Sequence, residues 1–260
     1  MLATLPHNRF KSLLNKQTQI GIWSTLCSSI VIDALSDSGF DWVLLDTEHS
    51  PNEISNVLTQ LQALAGTETA AVVRPAWNDA VLIKRFLDIG AQTLLIPFVQ
   101  NAEDAEYAVA AVRYPNHGIR GVAAAHRANR YGRIRDYVHR ANEELCLIVQ
   151  VETLSAIDNI PEIAAVEGVD AIFIGPSDLA ADLGHIGEVV HTDVQREITR
   201  ALELCREQRI PAGILAPVQE QAEHWLKAGF TFVAVASDMG LLTHQADAKA
   251  EHFKTFIGKQ

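Results

Sequence analysis

The chain has 260 residues, 48% of them hydrophobic and 20% charged, and 21 Lys plus Arg against 32 Asp plus Glu give it a formal charge of −11. This is a globular composition with enough apolar material for a sizeable core. The acidity excludes an electrostatic footprint for nucleic acid or anionic lipid. It leaves room for a small anionic substrate held by a local Arg, because salt screens the distant field.

Cys27, Cys146 and Cys205 are far apart and lack CxxC spacing. Neither a disulfide framework nor a zinc knot is expected, and Cys146, inside an apolar run, reads as a buried structural thiol. The N-terminus carries no apolar signal-like stretch, and no segment approaches the roughly 18 apolar residues of a membrane span. A cytoplasmic protein with no membrane partner is expected.

Short β-branched runs recur in chain order. They are Ile20–Trp23, Trp42–Leu45, Ala71–Arg74, Thr93–Pro97, Leu147–Glu152, Ala171–Gly175, Ala212–Leu215 and Phe232–Val235. Each is continuous rather than alternating, as in parallel strands buried on both faces. Helical spacing fills the intervals. Ser50, Pro51 and Glu53 read as N-cap, N1 and capping-box residues ahead of Ile54, Val57, Leu58, Leu61 and Leu64. Asn78 and Asp79 precede Val81, Ile83, Phe86 and Leu87, and Gly90 supplies the stop. Segments 102–112, 197–206 and 219–228 are also helical in pattern.

Strand and helix alternate through the chain as a (β/α)8 TIM barrel requires, in one domain spanning 1–260. A doubly wound sheet is the competing fold, but neither GxGxxG nor GxxxxGK[ST] follows any strand. The interval from Pro97 to Leu147 is longer than the rest. It contains Arg113–Gly121 and His126–Gly132, and a loop this long inside a compact domain reads as functional or as an interface.

A barrel carries its chemistry at the C-terminal ends of its strands. The second strand ends in Asp46-Thr47-Glu48-His49, the third in Arg74, the fifth in Gln150-Val151-Glu152, and the sixth runs into Gly175-Pro176-Ser177-Asp178. Glu152 and Asp178 stand one strand apart, and neighbouring strands are about 5 Å apart. Both carboxylates can therefore reach one hard divalent cation such as Mg²⁺ or Mn²⁺. The plainer alternative is an acid pair satisfied by Arg and backbone donors. Arg74 suits a carboxylate or oxyanion, or else a salt bridge to a rim acid. Backbone N–H groups at Ser177 and Asp178 suit a substrate carboxylate. His49 is a candidate base. Asp88 sits in a last helical turn, where the dipole disfavours an acid, so a specific partner is expected for it. His139, His224 and His252 read as surface or helix positions. The seven lysines all fall in terminal or helical segments, which disfavours imine chemistry, and there is no G-x-S-x-G elbow.

Taken together, residues 39–52, Val72–Pro75, Arg113–Pro115 with Gly118–Gly121, Val149–Glu152, Glu167–Asp170 and Ile174–Leu179 resemble the class II, metal-dependent pyruvate aldolases. That group includes 4-hydroxy-2-oxoheptanedioate aldolase, 2-dehydro-3-deoxyglucarate aldolase and macrophomate synthase. The resemblance covers nearly the whole chain in order. It implies that Glu152 and Asp178 hold Mg²⁺, Mn²⁺ or Co²⁺, which pyruvate chelates through its carboxylate and keto oxygen. Arg74 would stabilise the enolate, and the Ser177 and Asp178 amides would bind the carboxylate. His49 would act as base through a water on the metal, with Asp88 as its dyad partner. Gln150, Gly175, Pro176 and Leu215 would line the pocket, with Asp46 and Glu48 in support.

The resemblance further implies a homohexamer, a trimer of dimers exchanging the C-terminal helix. Asp88 ends the helix after strand three, on the face opposite the rim, so it is expected to reach His49 of a neighbouring subunit. Thr47 stands where Gly is usual in the group; a positive φ there would strain it.

The expected reaction is reversible cleavage of a 4-hydroxy-2-oxo acid to pyruvate and an aldehyde. Oxaloacetate decarboxylation and a non-catalytic 2-oxo-acid-binding barrel are the rival readings. Succinic and tartronate semialdehydes both carry a carboxylate that Arg127 or Arg130 could meet. Trp77-Asn78-Asp79 and Val99–Ala102 lean toward the heptanedioate type, and His126–Asn129 toward the glucarate type.

Overall fold

A computed structural model describes residues 4–259. Its strands are β1 (Gln19–Ser24), β2 (Trp42–Asp46), β3 (Ala70–Arg74), β4 (Thr93–Ile96), β5 (Cys146–Val151), β6 (Ala171–Ile174), β7 (Ala212–Leu215) and β8 (Phe232–Ser237). All pair in parallel with their sequence neighbours, and β8 returns to β1 to close the barrel. Each strand overlaps the apolar run that predicts it. The helices are α1 (Arg9–Leu13), α2 (Ser29–Ser36), α3 (Ile54–Ala63), α4 (Ala80–Asp88), α5 (Ala102–Val112), α6 (Tyr137–Arg140), α7 (Leu154–Asp158), α8 (Ile160–Ala164), α9 (Pro176–Asp182), α10 (Thr192–Glu207), α11 (Gln219–Ala228) and α12 (Asp238–Ile257).

Period-two alternation divides each strand between two cores. Val43, Leu45, Val149, Val151, Ile172 and Ile174 pack outward beneath the helices. Trp23, Trp42, Leu44, Val72, Ile148, Phe173 and Phe232 pack inward, and Phe10 of α1 plugs the N-terminal end among them. The Phe10 ring meets Trp42 and Phe232 edge-on, with centroids 5.9 and 5.5 Å apart. Such a crowded interior needs gaps elsewhere in the same layer. A Cβ on Gly213 would lie 2.1 Å from a Phe232 ring carbon, and one on Gly21 would lie 2.1 Å from Trp42. Gly213→Ala should therefore lower unfolding free energy by about 1–3 kcal/mol through overpacking. Urea denaturation with an unchanged m-value would show it, and a parental midpoint would argue against this packing.

Capping follows the sequence at α4, where Asp79 Oδ1 accepts from Val81 N and Leu82 N. Gly90 (φ +101°) and Gly229 (φ +105°) take the left-handed conformation just beyond α4 and α11. The capping box at Ser50 is corrected. Helix α3 starts at Ile54 with Glu53 as N-cap. The Ser50 hydroxyl instead donates to Asp46 O, and buried Asn52 accepts from Gln60 Nε2 at 2.8 Å. Ser50 is committed to the end of β2 and Asn52 to Gln60 within α3, which keeps 50–53 out of the helix. Helix α10 begins earlier than its apolar pattern indicates, at Thr192, with His191 as N-cap.

The long interval is partly ordered into α6 and a 3-10 turn at Ala141–Glu143. A small satellite core of Tyr114, Ala128, Ile134, Tyr137 and Ala141 holds it. Helix α12 is anchored at its start, where Asp238 accepts from Ser24 Oγ (2.6 Å), Thr25 N (3.0 Å) and Leu26 N (3.2 Å). Beyond that anchor residues 241–259 are exposed, including Leu241, Leu242, Phe253, Phe256 and Ile257. Among the described residues no helix is long and apolar enough to cross a membrane.

Candidate active site

The alternation that fills the barrel with aromatics also delivers its polar rim. Along β2, Trp42 and Leu44 point inward, so Asp46 does too. On β3 the inward series is Val72 then Arg74, and on β5 it is Cys146, Ile148 and Gln150. Asp46 and Arg74 are register partners. Arg74 grips Asp46 as a fork, with Nε to Oδ1 at 2.9 Å and Nη2 to Oδ2 at 2.7 Å. Trp23 Nε1 donates to the same Oδ2 at 3.2 Å, and the Trp23 ring lies 4.7 Å from the guanidinium carbon. The Arg74 side chain is 6% exposed and Asp46 1%. Burial pushes the Asp46 carboxyl up, but the Arg74 fork and charge outweigh it and hold Asp46 below the usual carboxylate range. The salt-bridge alternative for Arg74 is thus realised. Its Nη1, 2.8 Å from Glu48 Oε2, faces a carboxylate that lies off the N–H direction.

Glu152 is the most perturbed acid of this rim. It is 2% exposed and follows directly on β5. Phe98 N donates to its Oε1 at 2.9 Å and Gln150 Nε2 to its Oε2 at 2.5 Å. Those bonds favour the carboxylate, yet burial first, then Asp178 and Glu48, push its pKa up to about 7. Glu48 is likewise raised, mainly by burial and also by Asp46 and Asp178. Three acids therefore share one neighbourhood. The rim Arg is already engaged by Asp46, and among the described residues Asp178 has no ion-pair partner. Two oxygen-donor carboxylates, mutually repelling and short of positive charge, fit a hard divalent cation whose other positions are filled by water and substrate. Lys11, by contrast, is spent at the other end of the barrel on Leu145 O and near Asp170.

Asp178 and exposed Ser177 lie in the first turn of α9, with Gly175 as N-cap and Pro176 at N1. Leu215 ends β7 half-buried. His49 is 66% exposed on its side chain, with Nε2 4.0 Å from Glu48 Oε2. Within its own chain Asp88 is paired with Arg120 and not with His49. Fully buried Arg120 donates to Asp88 Oδ1 at 2.9 Å, and His126 Nε2 stands 4.0 Å away. Burial, the leading influence, lowers the His126 pKa against the opposing pull of Asp88.

A cavity of about 480 Å³ opens at the N-terminal end of the barrel, lined by Asn8, Gln92, Arg127 and Arg130 and by none of the rim acids. The clustering of acids, not cavity size, locates the site. Arg127 donates to Ile89 O and Leu61 O at that end, so neither it nor Arg130 meets an aldehyde carboxylate at this chain's own rim.

Residues 19–245 match the family model described as HpcH/HpaI aldolase/citrate lyase. The chain belongs to this family. It is 50% identical over 249 residues to a 4-hydroxy-2-oxo-heptane-1,7-dioate aldolase of Klebsiella pneumoniae, covering 95% of this chain and 94% of that one. It is 49% identical over 248 residues to a 5-keto-4-deoxy-D-glucarate aldolase of Escherichia coli O6:H1, covering 95% and 97%. A solved HpcH/HpaI aldolase/citrate lyase family protein from Burkholderia cenocepacia superposes with a TM-score of 0.92 at 36% identity, covering 95% and 99%. Macrophomate synthase shares the fold, with a TM-score of 0.81 at 23% identity, covering 98% and 93%. The chain is therefore an aldolase, a carbon–carbon lyase, in a family that is generally divalent-metal dependent.

Within this aldolase, Thr47 has no positive φ, so the condition under which it would be strained is not met. Its hydroxyl donates to Arg74 O at 2.6 Å, beside a bond from its own N–H at 3.1 Å, and so fixes the base of the Arg74 side chain. Trp23 and Phe98 were invisible as site residues in the sequence. Trp23 reads as an ordinary core aromatic, and Phe98 contributes only its backbone N–H, from a left-handed φ of +53°. Gly175 has a steric reason. A Cβ there would fall 2.5 Å from Glu152 Oε2 and 2.8 Å from Glu152 Cβ. Gly175→Ala should displace the Glu152 carboxylate and lower kcat/KM at least 10²-fold while the fold persists. Parental turnover would show that Glu152 has no fixed role.

Proposed function

We propose that this aldolase reversibly cleaves 4-hydroxy-2-oxo acids of the 4-hydroxy-2-oxoheptanedioate type to pyruvate and an aldehyde, with Glu152 and Asp178 holding Mg²⁺, Mn²⁺ or Co²⁺. The observation that carries the reading is the Glu48–Glu152–Asp178 cluster set beside a buried, forked Arg74. The bound cation supplies Lewis-acid stabilisation of charge developing on the pyruvyl fragment. Arg74, oriented by Asp46, Glu48 and the Trp23 face, presents its remaining N–H to the keto oxygen as charge develops there. Backbone N–H groups of Ser177 and Asp178 receive the carboxylate, with Gly175 and Pro176 shaping the turn and Gln150 holding Glu152 in place. Exposed His49 takes the C4 hydroxyl proton through water and returns it to the pyruvyl methyl carbon. Leu215 borders the aldehyde.

The Arg120 pair holds Asp88 at the opposite end of the barrel, where it serves His49 of a neighbouring subunit. The exposed apolar residues of α12 are covered by exchange between subunits, giving a homohexamer built as a trimer of dimers. One domain, 1–260, carries the reaction, and it does so in the cytoplasm. Relatives of both substrate types are about equally similar, so 2-dehydro-3-deoxyglucarate cleavage is the second reading. A screen of purified enzyme with pyruvate and an aldehyde panel, with and without EDTA, should show metal-dependent addition to succinic semialdehyde. Preference for tartronate semialdehyde would favour the second reading, and full activity in chelator would reject the metal role.

A further inference from the structure

Directly after α9, the helix that carries Asp178, the loop leading to α10 brings together donors for which the aldolase reaction has no use. Among the described residues, His185, His191 and Asp193 offer three ligand atoms within 4.8 Å of one another. Asp193 Oδ2 lies 3.4 Å from His185 Nε2 and 3.7 Å from His191 Nδ1. Ligand atoms on a tetrahedral ion with bonds of about 2.0–2.1 Å are separated by roughly 3.3–3.4 Å, so the triangle is already near the size a metal requires. Asp193 is prepared for a one-oxygen role, because Arg196 Nη1 holds the other oxygen, Oδ1, at 2.6 Å.

We propose that His185, His191 and Asp193 form a second metal site, selective for Zn²⁺ or another borderline cation such as Ni²⁺, that fastens the α9–α10 loop. Two imidazoles and one carboxylate are donors for such ions, whereas Mg²⁺ favours an all-oxygen shell. Binding needs a small rearrangement. The two rings are stacked, with centroids 3.5 Å apart and planes 18° from parallel, so each must turn to aim its lone pair at a common point. His191 Nδ1 must also release its 3.3 Å bond from Asp193 N. The loop permits this. The side chains are 27%, 34% and 41% exposed, and the loop includes Gly184 and Gly187 with φ of +81° and +82° and open space around both. An ion here would tie α10 to the segment directly following α9, the helix that carries Asp178.

The test uses the full chain carrying Glu152→Gln and Asp178→Asn, which removes the rim site, titrated with Zn²⁺ against a competing chromophoric chelator. One equivalent should bind, and the melting temperature should rise by about 5 °C at a hundredfold excess over Kd. Adding His185→Phe keeps a ring to stack on His191 but deletes the ligand, and should weaken binding at least tenfold. Asp193→Asn should do likewise, while Mg²⁺ should neither bind here nor shift the melt. In the otherwise parental chain His185→Phe should leave Mg²⁺-supported turnover unchanged. No Zn²⁺ uptake once the rim is removed would overturn the second site and leave the rim assignment standing. Uptake undiminished by His185→Phe would place the ion on other surface histidines and overturn it equally.

Discussion

Arg74→Lys should fold normally and bind metal as the parent does, yet turn over about 10²–10³-fold more slowly. Lysine keeps the charge opposite Asp46 and Glu48 but has no fork, so it cannot hold Asp46 through two oxygens and still present a fixed donor to the keto oxygen. The effect should fall on kcat more than on KM, because the donor is needed where charge develops rather than where substrate docks. Arg74→Ala is a harsher change. It strands Asp46, which is 1% exposed, with no compensating charge, and leaving such a charge unpaired costs about 3–5 kcal/mol. Loss of activity in the alanine variant alone would therefore conflate catalysis with folding, and the lysine variant separates them. Steady-state kinetics beside a thermal melt is the measurement. A lysine variant with parental kcat would remove Arg74 from the chemistry and leave it as a strut for Asp46.

The second large effect is expected at Glu152. Its ordinary pKa is 4.5, and burial with its acidic neighbours pushes it up to about 7. Between those values the folded metal-free protein retains a proton that the unfolded chain has released. Its stability therefore falls as pH rises from about 4.5 to about 7 and levels off above that. Metal requires the carboxylate, so apparent Mn²⁺ affinity should fall about tenfold per pH unit below pH 7 and be flat above it. Glu152→Gln, of similar shape and neutral, should remove both dependences. It should weaken Mn²⁺ binding about 10²-fold or more, and melt no lower than the parent at pH 8. Calorimetric Mn²⁺ titrations across pH 5–8 decide the matter. An affinity independent of pH over that range would show that Glu152 is already ionised or is not a ligand.

The barrel was legible because parallel strands buried on both faces leave continuous apolar runs, and Trp42–Leu45 or Ala171–Gly175 can hardly be read otherwise. The rim was legible for a related reason. Acids and an Arg at the ends of such runs have no place in a core, so Asp46, Arg74, Glu152 and Asp178 stood out. What escaped was whatever depends on a contact distant in sequence. Trp23 is spaced like any core aromatic, and its indole N–H reaches Asp46 only once β1 and β2 pair. Phe98 acts through a backbone amide, which no side-chain pattern encodes. At Ser50 the local capping signal is sound, but hydrogen bonds from Ser50 to Asp46 O and between Asn52 and Gln60 override it. Arg127 and Arg130 looked suited to a substrate carboxylate by charge. The chain path after α4 carries them to the other end of the barrel, a consequence of topology that composition does not reveal.

Formation of a pyruvate enolate under metal control can be observed without knowing the aldehyde. Exchange of the pyruvate methyl protons for deuterium, followed by proton NMR in D₂O, reports the enolate directly. Wild-type protein with Mn²⁺ or Mg²⁺ should exchange those protons, and EDTA, Glu152→Gln or Arg74→Lys should suppress exchange. Undiminished exchange in EDTA, or in the Glu152→Gln variant, would contradict a metal-held enolate at this rim.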